Sequence, residues 1–249
     1  GGRTIRGIRR LGKRVVFELD GGPFLAVHLM VAGRFHWKDA PHSPVPRKVG
    51  LAAFDVPEAT LLLTEASPKK RAALHVVATE AELAALSRGG LEPLEAELAS
   101  FSAALRSESH TVKRALTDPR LFAGIGNAYS DEILHAARMS PFALTRKLGD
   151  EEVARLFDAT RTTLSAWLLR LRAEAGERFP EKVTAFRPDF AVHGRHGRPC
   201  PACGDPVQRL VYGGNEANYC ATCQTGGRLL ADRALSRLLK DDWPRTLEE

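Results

Sequence analysis

Between Thr4 and about Val77, apolar and polar positions alternate in short runs. The stretch RVVFELDGGPFLAVHLM sets β-branched and aromatic residues on both sides of Asp20-Gly21-Gly22, which predicts two strands joined by a hairpin turn. ATLLLTEASPKKRAALHVV repeats the theme, and the three prolines of DAPHSPVPRK, Asp39 to Lys48, predict an exposed loop between them. This zone predicts antiparallel sheet. From Glu80 to about Ala175 the period changes: EAELAALSRGG, PLEAELASFSAALRS and DEEVARLFDATRTTLSAWLLRLRAEAG place apolar residues three and four apart, the spacing of helices that pack together.

Within the helical zone, TDPRLFAGIGNAYSDEILHAARMSP is organised differently. Asp118-Pro119 reads as a helix start, and GIGN, Gly124 to Asn127, interrupts one helix and immediately precedes another. A glycine turn at a helix start exposes backbone N–H groups at the positive end of the helix dipole, where a phosphate fits. Glycine turns between helices also serve packing alone, so this signal gains weight from its company: Lys113 and Arg114 lie upstream, and cysteines follow. From about Val192 the chain is rich in Gly, Pro, Arg and Cys, and LLADRALSRLLKDDWPRTLEE predicts a short amphipathic helix at the end.

All four cysteines of the 249-residue chain fall in this last zone, as Cys200-x2-Cys203 and Cys220-x2-Cys223, with sixteen residues between the pairs. That spacing puts each pair on one tight knuckle and supplies four sulfurs to a tetrahedral zinc ion. The intervening GDPVQRLVYGGNEANY reads as strand, turn, strand, the layout of a zinc ribbon. A pair of disulfides is the alternative. A closed four-sulfur shell leaves no open coordination position, so one zinc ion is assigned a structural role. Arg195, His196, Arg198 and Arg209 lie in or beside the ribbon and could serve binding or solvation.

The formal net charge of +6 favours a polyanionic partner, although such an excess is also compatible with a solvated surface. No apolar run approaches the roughly 18 residues of a membrane span, and the basic first residues lack a following apolar region, which predicts a soluble cytoplasmic protein.

Taken together, RRLGKRVVFELD with HLMVAG, TVKRALTDPRLFAGIGNAYSDEIL, and VHGRHGRPCPACGDPVQRLVY with NYCATCQ resemble the formamidopyrimidine-DNA glycosylase / endonuclease VIII family of base-excision repair enzymes. The resemblance spans nearly the whole chain. It implies an α+β architecture: an antiparallel β-sandwich-like N-terminal domain (1–78), a helical domain with a helix-two-turn-helix (79–190), and a zinc ribbon with a C-terminal helix (191–249). It also implies a monomeric, nucleoid-associated enzyme on damaged double-stranded DNA, which flips an oxidised or ring-opened base and removes it through a Schiff base, with AP-lyase activity.

Carried over residue by residue, Lys13 matches the hairpin lysine assigned as proton donor in β-elimination. Asn127 matches the phosphate-binding asparagine, with Gly124 and Gly126 in its turn, and Lys113 matches a helical-domain lysine near the DNA. The departures are equally specific. HLMVAG leaves Met30 or Val31 as wedge, and SPKKRA supplies Lys69, Lys70 and Arg71 where an aromatic wedge is usual. Asn215 stands where an arginine assigned to δ-elimination is expected, leaving Arg209 as a substitute cation. The chain opens on Gly1-Gly2-Arg3 rather than the family's nucleophilic proline and following acid, so the expectation is an N-terminally incomplete member. Two other readings stay open: a non-catalytic damaged-DNA-binding module, and a zinc-ribbon protein of the transcription or translation apparatus.

Overall fold

A computed structural model describes residues 2–180, 186–212, 215–231 and 245–247. The chain divides into two compact units, 1–88 with 172–183, and 89–171 with 184–249.

In the first unit the alternating pattern becomes seven strands: β1 (Ile5–Leu11), β2 (Arg14–Leu19), β3 (Phe24–His28), β4 (Gly33–Lys38), β5 (Gly50–Val56), β6 (Ala59–Glu65) and β7 (Ala73–Val77). They form two antiparallel sheets, ordered β1-β2-β3-β7 and β4-β6-β5. The turn at Asp20-Gly21-Gly22 forms as expected, closed by Leu19 N to Pro23 O at 3.0 Å. A period of two explains how β2 serves two cores. Val15 and Phe17 pack with Leu25, Val27, Leu61 and Leu63 between the sheets, whereas Val16 joins Ala26 and Leu83 on the opposite face. Leu83 lies on α1 (Glu80–Ala85), whose Thr79 side chain accepts the Glu82 N–H as an N-cap. β6 is paired on both sides, and all seven of its residues are buried. Its three buried polar or charged residues, Thr60, Thr64 and Glu65, therefore need internal partners.

The second unit holds α2 (Leu98–Arg106), α3 (Val112–Thr117), α4 (Asn127–Ala136) and, as far as Leu171, α5 (Asp150–Ala175) around one apolar core. Phe101 sits at its centre, 4.7 Å from the Phe122 ring and 5.3 Å from Phe157. Among the described residues, α5 buries side chains only from its first half: Val153, Leu156, Phe157 and Thr160. One expectation is corrected here. Asp118-Pro119 ends α3 instead of starting a helix, because proline biases the residue before it away from helical backbone, and Asp118 is extended at φ −77°, ψ 114°. Two short turns then lead to α4. The ribbon follows as β8 (Val207–Tyr212) and β9 (Asn215–Cys220), antiparallel, with α6 (Ala221–Thr225). The expected C-terminal amphipathic helix falls largely on residues 232–244, outside the described residues. Among the described residues no helix is long and apolar enough to cross a membrane.

Candidate nucleic-acid interface and metal centre

The four cysteines converge, all four sulfurs lying within 4.8 Å of one another. Sulfur pairs across the two knuckles are 3.4 Å (Cys203–Cys220) and 3.9 Å (Cys200–Cys223) apart. Disulfide sulfurs would be about 2.05 Å apart, whereas four sulfurs at about 2.3 Å from a tetrahedral zinc ion stand about 3.8 Å from each other. The geometry fits the ion. Burial pushes the Cys220 thiol up and that of Cys223 up to about 11, whereas against burial the Ala202 and Cys203 N–H groups bring that of Cys200 down, so Cys220 and Cys223 need a cation to be held as thiolates at neutral pH. His135 at the end of α4 places Nε2 3.3 Å from the Cys200 sulfur, and burial with the Arg138 charge lowers the His135 pKa, favouring a neutral ring that donates to sulfur. The cluster is the site of one structural zinc ion.

The glycine turn is built to expose α4. Gly124 has φ +82°, a left-handed conformation that side chains disfavour, and this bend drives Ile125 into the core. Gly126 then caps α4 without a side-chain bond. Asn127, the first helical residue, is exposed, and its amide makes no cap to its own helix. The first N–H groups of α4 are thus left without a capping side chain beside the exposed Asn127.

Lys113, matched above to a helical-domain lysine near the DNA, turns its ammonium inward. It is only 5% exposed, with its ammonium on Asp131, on Ser130 Oγ at 3.0 Å and on the Asn127 carbonyl at 3.4 Å. Burial lowers its pKa against the opposing pull of Asp131 and Glu216. Its three donors are committed inward, so it supports the Asn127 turn from behind and presents no charge outward.

Two acids on α4 then join the turn to the ribbon. Asp131, 1% exposed, pairs with Lys113 through one oxygen and accepts from His193 Nδ1 (2.8 Å) and Asn218 Nδ2 (3.4 Å) with the other. Glu132 accepts three successive backbone N–H groups, Ala191 at 2.6 Å and Val192 and His193 at 2.9 Å. Gln224 adds a bond to the Met139 carbonyl at 2.9 Å. Helix end and zinc ribbon are therefore parts of one body. Arg209 is exposed on β8 across from Asn218, and Asn215 opens β9.

In the sheet unit, Lys13 stands at the tip of the β1–β2 turn with an exposed side chain, and partial removal of water around its ammonium lowers the pKa. Met30 and Val31 form the β3–β4 turn tip, Val31 83% exposed, so neither is core. Met30 has φ +53° and donates its N–H to His28 Nδ1 at 3.1 Å, while Arg34 bonds the Val31 carbonyl at 3.0 Å. Lys69, Lys70 and Arg71 lie in the β6–β7 loop. Lys70, at φ +41°, turns its ammonium back onto the Glu65 and Lys48 carbonyls, leaving Lys69 and Arg71 as the outward cations. The buried Glu65 carboxylate brackets the loop, accepting Arg71 N–H and Ala72 N–H at 2.9 Å each.

Those two N–H bonds, then the charges of Lys70 and Arg71, hold the Glu65 carboxyl below its usual 4.5. A depressed folded pKa means the unfolded chain takes up the proton first, so this stabilisation is present above about 4.5 and fades as pH falls through the folded value. Glu65→Gln is expected to flatten the acid limb of stability against pH, measured by urea unfolding between about pH 6 and about pH 3.

Asp131, Glu132, Glu65 and His193 escaped the sequence reading. One signal was available: Asp131 falls on the 128, 131, 135 stripe of α4, where a charge implies a buried partner.

Comparison with known proteins agrees with this layout. Residues 1–72 match the formamidopyrimidine-DNA glycosylase N-terminal domain, 90–171 the formamidopyrimidine-DNA glycosylase H2TH domain, and 197–226 a zinc finger found in FPG and IleRS. A formamidopyrimidine-DNA glycosylase of Thermus thermophilus is 36% identical over 234 residues, covering 91% of this chain and 84% of that protein. The crystal structure of the MutM (Fpg) protein from Thermus thermophilus superposes with a TM-score of 0.75 at 36% identity, covering 90% of this chain and 84% of that one. Lactococcus lactis Fpg in complex with a Fapy-dG containing DNA gives a TM-score of 0.78 at 25% identity, covering 90% and 83%.

Proposed function

Because the chain belongs to the formamidopyrimidine-DNA glycosylase family, we propose that it acts on damaged duplex DNA as a glycosylase with AP-lyase activity. One observation carries the reading. The exposed Asn127 helix end and the cationic zinc ribbon are locked together by Asp131 and Glu132, so both can grip one sugar-phosphate backbone without rearranging. The exposed Met30-Val31 tip supplies an apolar wedge for the gap left by an extruded base. Lys69 and Arg71 supply cations on a loop that Glu65 holds in shape. Arg209 adds a cation on the ribbon.

In the family the attacking amine belongs to an N-terminal proline, which the present 249 residues do not include. The amine bonds to the sugar C1′ and the base departs with the glycosidic electron pair; the C1′–O4′ bond then opens, O4′ taking a proton, to leave an iminium that acidifies C2′–H, so that a base removes this proton and the C3′–O bond breaks with its electron pair leaving on the phosphate. Lys13, its pKa lowered by partial desolvation, is the proton donor of that elimination. The zinc ion takes no part beyond bracing the ribbon.

Asn127→Ala is expected to weaken binding to an abasic-site duplex by about 1 to 3 kcal/mol at fixed salt, measured by titration; unchanged affinity removes the phosphate role. Borohydride trapping on the same duplex tests the lyase half. A covalent adduct is expected from protein carrying the family's proline, and its absence there leaves the alternative, a module that binds damaged DNA without chemistry.

A further inference from the structure

We infer that His28 is a positioning residue for the Met30-Val31 wedge: its Nδ1 lone pair holds the tip in shape, and a proton taken up there lets the tip go. The inference rests on the proposed function for what the tip does to DNA, and on the fold alone for how the tip is held.

The β3–β4 turn is tight. Gly33 donates its N–H to the Leu29 carbonyl at 2.8 Å, and a Cβ at Gly33 would stand only 2.2 Å from that oxygen. Met30 takes the left-handed bend, at φ +53°, a conformation that residues with a side chain occupy at a cost. Its half-exposed side chain offers little burial to offset that cost. Hydrogen bonds hold the turn instead. Met30 donates its N–H to His28 Nδ1 at 3.1 Å, and Arg34 donates to the Val31 and Gly33 carbonyls at 3.0 and 2.6 Å. Of these bonds, only the first has an acceptor that titrates near neutral pH.

A side-chain acceptor that reaches the N–H two residues on has the geometry of an Asx turn, with imidazole in place of the amide. The bond also sets the tautomer: Nδ1 keeps its lone pair, and Nε2 of the neutral ring carries the hydrogen. Protonation puts a hydrogen on Nδ1, so a donor then faces the Met30 N–H.

The surroundings keep the ring neutral at neutral pH. His28 is half-buried, in register with Arg14 on β2 and Ala73 on β7. Loss of water around the ring, then the charges of Arg14, Lys13 and His75, hold its pKa below the usual 6.5. Across the turn Arg34 adds a cation. Glu65, the acid on β6 opposite Gly33, is committed to the Arg71 and Ala72 N–H groups. The tip is therefore set while the ring is neutral and loosens as pH falls below 6.5. That sign is opposite to the effect of charge as such, because an imidazolium close to a polyanion strengthens attraction.

Wild type, His28→Asn and His28→Leu are titrated at fixed ionic strength with a duplex carrying an abasic site opposite 2-aminopurine, between about pH 8 and about pH 5. Asparagine keeps an acceptor for the Met30 N–H and does not titrate; leucine removes the acceptor. At about pH 8, His28→Leu should bind about tenfold more weakly than wild type, and His28→Asn should restore most of that loss. Toward about pH 5, wild type should fall about tenfold relative to His28→Asn, with 2-aminopurine emission changing in step as the wedge leaves the gap. Without DNA, the Met30 amide resonance of the wild type should move with the His28 imidazole titration. An asparagine variant as weak as the leucine one overturns the inference, as does a wild type that holds level with or gains on His28→Asn toward acid, or a Met30 amide indifferent to His28 ionisation. Equal binding of abasic-site and undamaged duplex by all three proteins would sink the repair reading instead, and the amide titration would then decide how the tip is held.

Discussion

Cys220→Ser is expected to lower bound zinc from one ion per chain to near zero and to unfold the ribbon while the helices stay folded. Cys220 is fully buried at the end of β9 and packs with Val192, Cys200 and Val207 in a cluster of four buried residues. Even with the neighbouring cluster of Leu210, Ala217, Tyr219, Ala221 and Leu230, so small a core cannot offset the conformational entropy of ordering the ribbon. The ion supplies the difference: structural zinc contributes apparent free energies of about 10–16 kcal/mol in isolated fingers near neutral pH, and a serine hydroxyl at one corner does not replace a thiolate. The helical core around Phe101, Phe122 and Leu156 includes no ribbon residue, so far-ultraviolet dichroism should keep its helical signal. Metal analysis and hydrogen exchange of the β8 and β9 amides give the readout. Zinc retained with those amides protected would refute the structural assignment.

The second large effect is expected from Asp131→Ala, a loss of about 3–5 kcal/mol in unfolding free energy, because it strands the Lys113 ammonium in the interior. Lys113→Met combined with Asp131→Leu removes both charges and should recover most of that loss. Urea unfolding of the two single variants and the double variant measures the coupling, and a single-variant cost under about 1 kcal/mol would show that the pair is not balancing a buried charge. The pH dependence adds a sign. Burial already holds the Lys113 pKa below 10.5, and removing Asp131 deepens the depression. The unfolded chain then binds more protons between the folded value and 10.5, so the variant's stability should rise with pH across that window.

Local chemistry explains which parts were legible beforehand. The alternation around Asp20-Gly21-Gly22, the cysteine spacing and the glycine turn at 124–126 each follow from rules acting over a few residues, and all three stand in the fold. Lys113 did not yield to such rules. Its neighbours Val112, Ala115 and Leu116 are core, and whether a lysine between them points out or in is decided by Asp131, eighteen positions later. Asp118-Pro119 misled because Asp-Pro pairs occur at both ends of helices, and only the packing of Leu116 and Phe122 selects which. Lys70 turned back for a similar reason: the buried end of β6 needed partners. Glu132, the stitch between helix and ribbon, reads in sequence as an ordinary helical acid.

That stitch also orders events in time. Glu132 meets backbone groups 59 to 61 positions farther along, so its bonds form only after a long stretch of chain has closed on itself, an entropic toll that grows slowly with length but delays nonlocal pairing. Helix α4, made of neighbouring contacts, can be in place well before. The C-terminal segment therefore has to close over a long loop before Glu132 can hold it, and a zinc ion bound by the four cysteines would help keep it seated once closed.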